Sequence, residues 1–155
     1  ESDGFELAAD YEISENWSIY GSYTNLDATY VGTGLGAGAD ASLGLIPGNQ
    51  VVNTPDRMWV LSLDWTRDSY FAGVSSKYVA ERFVGRANAQ STPDYNVTDA
   101  YLGFNGEAVS DLLQGFEFRF IINNATDESY LGGISGFGAW IGAPRTASFS
   151  MTVDL

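Results

Sequence analysis

The chain has 155 residues, no cysteine and no histidine, and 7 Lys plus Arg against 20 Asp plus Glu give it a net charge of −13. This composition excludes disulfides, Cys/His zinc sites, thiol nucleophiles and a Ser-His-Asp triad. The acidity repels phosphate backbones, so nucleic acid is not an expected partner. With 18 Gly, 14% aromatic residues and only 4 Pro, the chain reads as all-β. No run approaches the roughly 20 apolar residues of a membrane-spanning helix. Glu1, Ser2, Asp3 and Gly4 do not open a signal peptide, so an exported protein would have to start upstream of them.

Seven segments alternate apolar and polar residues, with turn chemistry between them. In residues 4–13, Phe5, Leu7, Ala9, Tyr11 and Ile13 share a face opposite Glu6, Ala8, Asp10 and Glu12. A turn at 14–16 leads into a segment from Trp17 towards Tyr30, with Trp17, Ile19, Gly21 and Tyr23 on one face. Its pattern blurs at 25–28, through a bulge or because the strand has left apolar surroundings. Residues 31–53 read as a long loop whose glycine-rich part, 32–38, should be mobile. Gly32, Gly34 and Ala37 have the spacing of a dinucleotide fingerprint, but residues 38–44 make a poor helix to supply the phosphate-binding N-terminus.

The third segment, 58–67, places Trp59, Leu61, Leu63 and Trp65 together. After a turn at 68–69, residues 70–80 set Tyr70, Ala72, Val74, Ser76, Tyr78 and Ala80 against Gly73, Ser75 and Lys77. A second loop covers 81–94. Residues 95–104 follow, with Thr98, Ala100, Leu102 and Phe104 on one face and Asp99 on the other. A connection at 105–115 offers Leu112 and Leu113 as a cover for a rim. In 116–123, Phe116, Phe118, Phe120 and Ile122 oppose Glu117, Arg119 and Asn123. A third long loop spans 124–145. The last segment, 146–155, alternates Ala147, Phe149, Met151, Val153 and Leu155 with Thr146, Ser148, Ser150, Thr152 and Asp154. Pro55 and Pro144 set strand entry.

A soluble β-sandwich also alternates. Three features favour an antiparallel transmembrane β-barrel segment instead. Several segments reach about ten residues, the length of a tilted bilayer-crossing strand. Trp17, Trp59, Trp65, Tyr70, Tyr78, Tyr11 and Phe116 lie near segment ends on apolar faces, where amphipathic rings suit the membrane interface. Connections run short, long, short, long, medium, long, as periplasmic turns and extracellular loops would. Seven strands is an odd count, and bacterial single-chain barrels normally close on an even one, so further strands are expected. Outer-membrane lipid and lipopolysaccharide are then the surrounding partners of a Gram-negative cell.

The order of Gly4-Phe5-Glu6-Leu7, 17–24 (WSIYGSYT), 52–55 (VNTP), 77–79 (KYV), 95–100 (YNVTDA), 123–130 (NNATDESY) and 142–146 (GAPRT) resembles the C-terminal part of TonB-dependent outer-membrane receptor barrels. The resemblance implies a 22-stranded barrel with the plug domain, the TonB-binding segment and the earlier strands all upstream. It implies active uptake of a scarce nutrient, first among them a ferric siderophore or related iron chelate, with TonB and the small-molecule ligand as partners and no cofactor. Many members end in an aromatic residue, where this chain has Leu155. The negative charge argues mildly against an anionic ferric chelate. A passive porin-like or structural barrel segment and a soluble all-β binding module are the alternative readings.

Candidate residues follow from the faces. Asp64, Lys77, Asp99, Glu117 and Arg119 face a lumen, where they contact cargo or bond one another, a plug or water. Arg82, Arg86, Tyr130, Phe137 and Trp140 lie in loops placed to touch a ligand, Trp140 doubling as an interface anchor. Loop acids Asp27, Asp40, Asp56, Asp94, Asp127 and Glu128 suit divalent cations at a lipopolysaccharide surface. Alternation scatters the carboxylates along a wall, so no paired-carboxylate catalytic site and no resident metal site are expected. The acceptor triplets at Asn16, Asn96 and Asn124 have no glycosylation role in a bacterial barrel.

Overall fold

The structure, a computed structural model, describes residues 1–135 and 138–154. In chain order the strands are β1 (Ser2–Ser14), β2 (Trp17–Ala28), β3 (Arg57–Arg67), β4 (Tyr70–Val79), β5 (Arg82–Phe83), β6 (Ser91–Thr92), β7 (Tyr95–Asn105), β8 (Phe116–Asn123), β9 (Leu131–Ser135), β10 (Gly138–Ile141) and β11 (Thr146–Val153). One helix, α1 (Ala37–Ser42), interrupts the first long connection, and two 3-10 turns (Gly106–Ala108 and Asp111–Leu113) fill the medium one. The seven longest strands form one antiparallel sheet in the order β1-β2-β3-β4-β7-β8-β11, an up-and-down meander.

The short connections close because their residues tolerate the required backbone. Asp68 takes a positive φ of 53° in the β3–β4 turn, as two-residue hairpins demand. In the β1–β2 turn the Asn16 side-chain amide donates to the Thr66 carbonyl at 2.7 Å, and the Thr66 N–H returns a bond to the Asn16 carbonyl at 2.9 Å. That pair extends the ladder around the bend and locks the β2–β3 register.

Register decides which side chains share a face. Along one row Leu7, Tyr23, Trp59 and Tyr78 are neighbours; along another Tyr11, Ile19, Leu63, Val74 and Ala100; along a third Trp17, Trp65, Ala72, Leu102, Phe120 and Phe149. This apolar face carries two aromatic rows. Towards the long connections, Phe5 meets Tyr23 at 5.9 Å and Trp59 stacks on Tyr78 at 5.7 Å. Towards the short turns, Trp17 meets Trp65 at 6.4 Å, and Phe104, Phe118 and Phe149 continue the row. Trp59 and Trp65 are six residues apart on β3, about 20 Å of extended chain. The opposite face runs Asp10, Tyr20, Ser62, Ser75 and Asp99, then Glu12, Ser18, Asp64, Gly73 and Tyr101.

The sheet is a single layer. The buried apolar side chains among the described residues are Ala28, Val79, Ala80 and Ile134, all at the long-connection end. A soluble sandwich buries one face of each sheet against the other. Here Leu7 is 64% exposed, Leu102 59% and Phe149 65%, so no second protein layer covers the apolar face. β1 and β11 are exposed along their whole length and pair on one side only among the described residues. In hydrocarbon each unsatisfied backbone group on such an edge costs several kcal/mol, which calls for neighbouring strands.

Several local expectations are corrected. β2 continues in unbroken register to Ala28, and the shift in the β1–β2 pair falls at Glu12/Ser14 instead, so the blurred pattern at 25–28 marks a strand beyond its apolar surroundings. Residues 37–42 are helical after all, because Asp40 supplies a local anchor: its Oδ1 accepts from the Thr33 N–H at 2.8 Å and the Thr33 hydroxyl at 2.7 Å. The dinucleotide spacing, already set aside for want of a following helix, has no βαβ unit around it either, since β2 and β3 pair antiparallel. Leu112 is 91% exposed and covers no rim, whereas Leu113 sits against Gly106, where any Cβ would collide with it. The second and third loops also hold small hairpins, β5–β6 and β9–β10.

Candidate functional site

On the polar face, near the short-turn end, three of the predicted residues converge. The Tyr101 hydroxyl donates to Asp64 Oδ1 at 2.5 Å. Arg119 pairs with Glu117 at 3.2 Å, and its guanidinium lies 4.9 Å from the Phe71 ring centre and 5.0 Å from that of Tyr101. Positions i and i+2 on β8 put Glu117 and Arg119 on one face, and the register sets Arg119 against Gly103. The rings can lie flat along the wall because the residues beneath them are glycines. A Cβ on Gly73 would run into Asp64 and the Tyr101 ring, and one on Gly103 into the Phe71 ring and the Phe118 carbonyl. Tyr101 thus covers Gly73, and Phe71 covers Gly103, across paired strands. The Arg119 Nε–H meets no acceptor here.

Lys77 and Asp99 face the same way but do not join this cluster. Lys77 stands exposed between Val60 and Val97. Asp99 Oδ1 accepts from the Asn124 backbone N–H at 2.8 Å, tying strand β7 to the third long loop.

The long connections hold the remaining candidates. Arg82 is 4% exposed; its Nη1 donates to Asn53 Oδ1 at 3.0 Å, its Nη2 to the Leu131 carbonyl at 2.5 Å, and its guanidinium lies 5.4 Å from the Tyr95 ring centre. Tyr130 stacks on Tyr95 at 4.4 Å, over a Gly142 that leaves no room for a side chain. Arg86 donates to the Leu43 carbonyl at 2.5 Å and is otherwise exposed. Trp140 is 61% exposed, packed over Gly133. Phe137 lies outside the described residues, as does Leu155. Pro93, Asp94, Ser129, Tyr130, Leu131 and Ile141 line an open cleft of about 390 Å³.

The acidic loop residues do not gather into a metal-binding group among the described residues. Asp40 and Asp127 have local tasks instead. The two bonds from Thr33 hold the Asp40 carboxyl below the usual carboxylate range. Asp127 accepts from the Arg145 backbone N–H at 3.1 Å and pairs with its side chain at 3.7 Å.

Three asparagines carry the loops and escaped sequence reasoning. Asn53, Asn88 and Asn124 have positive φ of 59°, 50° and 50°. Asn124, 2% exposed, donates from Nδ2 to the Glu128 and Ala143 carbonyls at 2.8 and 3.0 Å and accepts from the Glu128 N–H at 2.8 Å. It closes both ends of the third loop from one side chain. The available signal was asparagine itself, which visits the left-handed region and mimics a peptide.

The family described as TonB dependent receptor-like, β-barrel, matches residues 1–125. The probable TonB-dependent siderophore receptor PiuA of Acinetobacter baumannii is 30% identical over 134 residues, covering 83% of this chain and 17% of that protein. The catecholate siderophore receptor Fiu of Escherichia coli K12 is 26% identical over 163 aligned positions, covering 99% and 19%. The chain therefore spans about a fifth of the length of these relatives. The crystal structure of PiuA superposes with a TM-score of 0.76 at 25% identity, over 98% of this chain and 21% of that one. Unliganded ferric citrate transporter FecA shares the fold, with a TM-score of 0.78 at 20% identity over 98% and 24%. The single two-faced sheet with its open flanks is thus a segment of a larger membrane-spanning barrel, and the chain belongs to the TonB-dependent receptor-like β-barrel family.

Proposed function

We propose that the chain forms closing strands and outer loops of an outer-membrane receptor that imports a ferric siderophore with energy from TonB. The observation that carries this reading is the family match together with relatives named as siderophore receptors. The fold agrees with it: the apolar face with two aromatic rows suits lipid, and the polar face with Asp64, Tyr101, Glu117 and Arg119 suits an aqueous, plugged lumen. The long connections then stand outside the cell beside lipopolysaccharide, and the short turns in the periplasm. The plug, the TonB-binding segment and the earlier strands belong to the rest of the receptor, upstream.

Within this reading Arg86, Tyr130, Phe137 and Trp140 remain the ligand-facing candidates, since flat rings and a cation suit an aromatic, anionic iron chelate, whereas Arg82, only 4% exposed, has little surface to offer a ligand. The net charge of −13 belongs to this stretch alone and does not set the field at the ligand. The test is uptake of radiolabelled ferric siderophores by cells whose only such receptor is the full-length protein. Uptake should disappear when TonB is deleted. Entry that continues unchanged without TonB would support the passive-barrel reading instead.

A further inference from the structure

The three long connections are bonded to one another, not only to the strands beneath them. Between the first (29–56) and second (80–94), Asn88 acts as a peptide mimic: its Oδ1 accepts from the Gln50 N–H at 2.7 Å and its Nδ2 donates to the Gln50 carbonyl at 3.0 Å. Asn49 Nδ2 donates to the Arg86 carbonyl at 2.9 Å, Arg86 returns a bond to the Leu43 carbonyl, and the Asn53 N–H donates to the Phe83 carbonyl at 3.0 Å. Between the second and third (124–145), a direct tie is the bond from Arg82 Nη2 to the Leu131 carbonyl. The same guanidinium holds Asn53 through Nη1 and lies against Tyr95, on which Tyr130 of the third loop is stacked.

One buried cation therefore joins all three loops. A guanidinium is suited to this because its fork presents two donors in fixed directions, which an ammonium does not. Burial raises the stake: the cation has left water, so losing either acceptor leaves it poorly compensated. Its Nε–H already lacks an acceptor among the described residues, so the two Nη bonds and the ring contact carry the compensation.

We propose that Arg82 is a positioning residue that couples the three loops into one mechanical unit, so that they open and close together. This coupling follows from the bonds within the chain and holds whatever the receptor carries. Loops tied only to their own strands would fluctuate independently, whereas loops sharing a buried cation share its opening equilibrium.

Hydrogen–deuterium exchange of the full-length receptor in bilayer discs tests this without any ligand. Arg82→Ala should speed exchange together in segments 49–56, 82–92 and 130–135, by about tenfold, the change that losing one bond to a charged group gives. Strands β3 and β4 should keep their protection, which confirms folding. Asn53→Ala removes one acceptor while the guanidinium keeps the Leu131 carbonyl, and should speed 49–56 and disturb 130–135 less than Arg82→Ala does. Arg82→Lys keeps the charge without the fork, and should leave at least one of the two partner segments exchanging as fast as in Arg82→Ala. The proposal is overturned if Arg82→Ala alters only residues beside position 82, or if Asn53→Ala disturbs 130–135 as much as Arg82→Ala does. Should Arg82→Ala fail to assemble, the Lys variant decides: wild-type protection at both partner segments contradicts the coupling.

Discussion

Leu61→Arg destabilises the receptor by about 2–4 kcal/mol, whereas Ser62→Arg, one residue away, is nearly neutral. Both positions lie mid-strand on β3 at nearly the same depth. Leu61 is on the apolar face, beside Gly21 and Ser76, and 48% exposed, so an arginine fits sterically and the penalty is loss of hydration. Ser62 is on the other face, with Tyr20 and Ser75 beside it and Asp10 and Asp99 along the same row. There the new cation meets water and carboxylates. Unfolding of the full-length receptor in lipid, followed by denaturant titration, reads the difference. Equal effects at the two positions would mean that the faces do not differ in solvent.

The second large effect concerns the polar-face glycines. Gly103→Ala should cost about 1–3 kcal/mol, because the added methyl meets the Phe71 ring and the Phe118 carbonyl, and backbone cannot yield as a side chain can. Displacing Phe71 also removes one of the two rings against Arg119, whose Nε–H has no acceptor among the described residues. Gly21→Ala is the control, since on the apolar face its nearest neighbour would be Leu61 Cδ1 at an ordinary 3.8 Å. That variant should gain about 0.5–1 kcal/mol from the lower backbone entropy of alanine. The same denaturant titration ranks them as Gly21→Ala, wild type, Gly103→Ala in falling stability. Equal stability of the two variants would show that Phe71 does not need the space above Gly103.

The two faces of the sheet were legible from the sequence because period-two alternation survives wherever lipid and water are separated by a strand's thickness. Trp17, Trp59, Trp65, Tyr70 and Tyr78 could be assigned to membrane interfaces for the same reason, and register then grouped them into two rows. Asp64, Glu117 and Arg119 could be placed on the polar face, but not together. Their meeting depends on Tyr101 and Phe71, aromatic side chains on the water-facing side, which alternation alone treats as exceptions. What would have exposed them is the cross-strand pairing of each ring with a glycine, visible only once register is known. The loops were least legible. Arg82 reads as a free cation in a sequence, and its burial follows from Asn53 and Leu131, which lie 29 and 49 residues away. The small hairpins and α1 within the loops are stabilised by such contacts and have little periodicity of their own.

A receptor wall requires the apolar face of the sheet to lie in lipid and the polar face to line the lumen. This stretch has no cysteine, and in a full-length receptor freed of any cysteine elsewhere single nitroxide labels can be placed at residues 60, 61, 62, 63 and 64 and the protein reconstituted in bilayers. Collision with lipid-soluble oxygen and with a water-soluble nickel chelate is then measured at each. Accessibility should alternate with a period of two, with oxygen favoured at 61 and 63 and the nickel chelate at 60, 62 and 64. Uniform access to the nickel chelate, or alternation in the opposite phase, would contradict it.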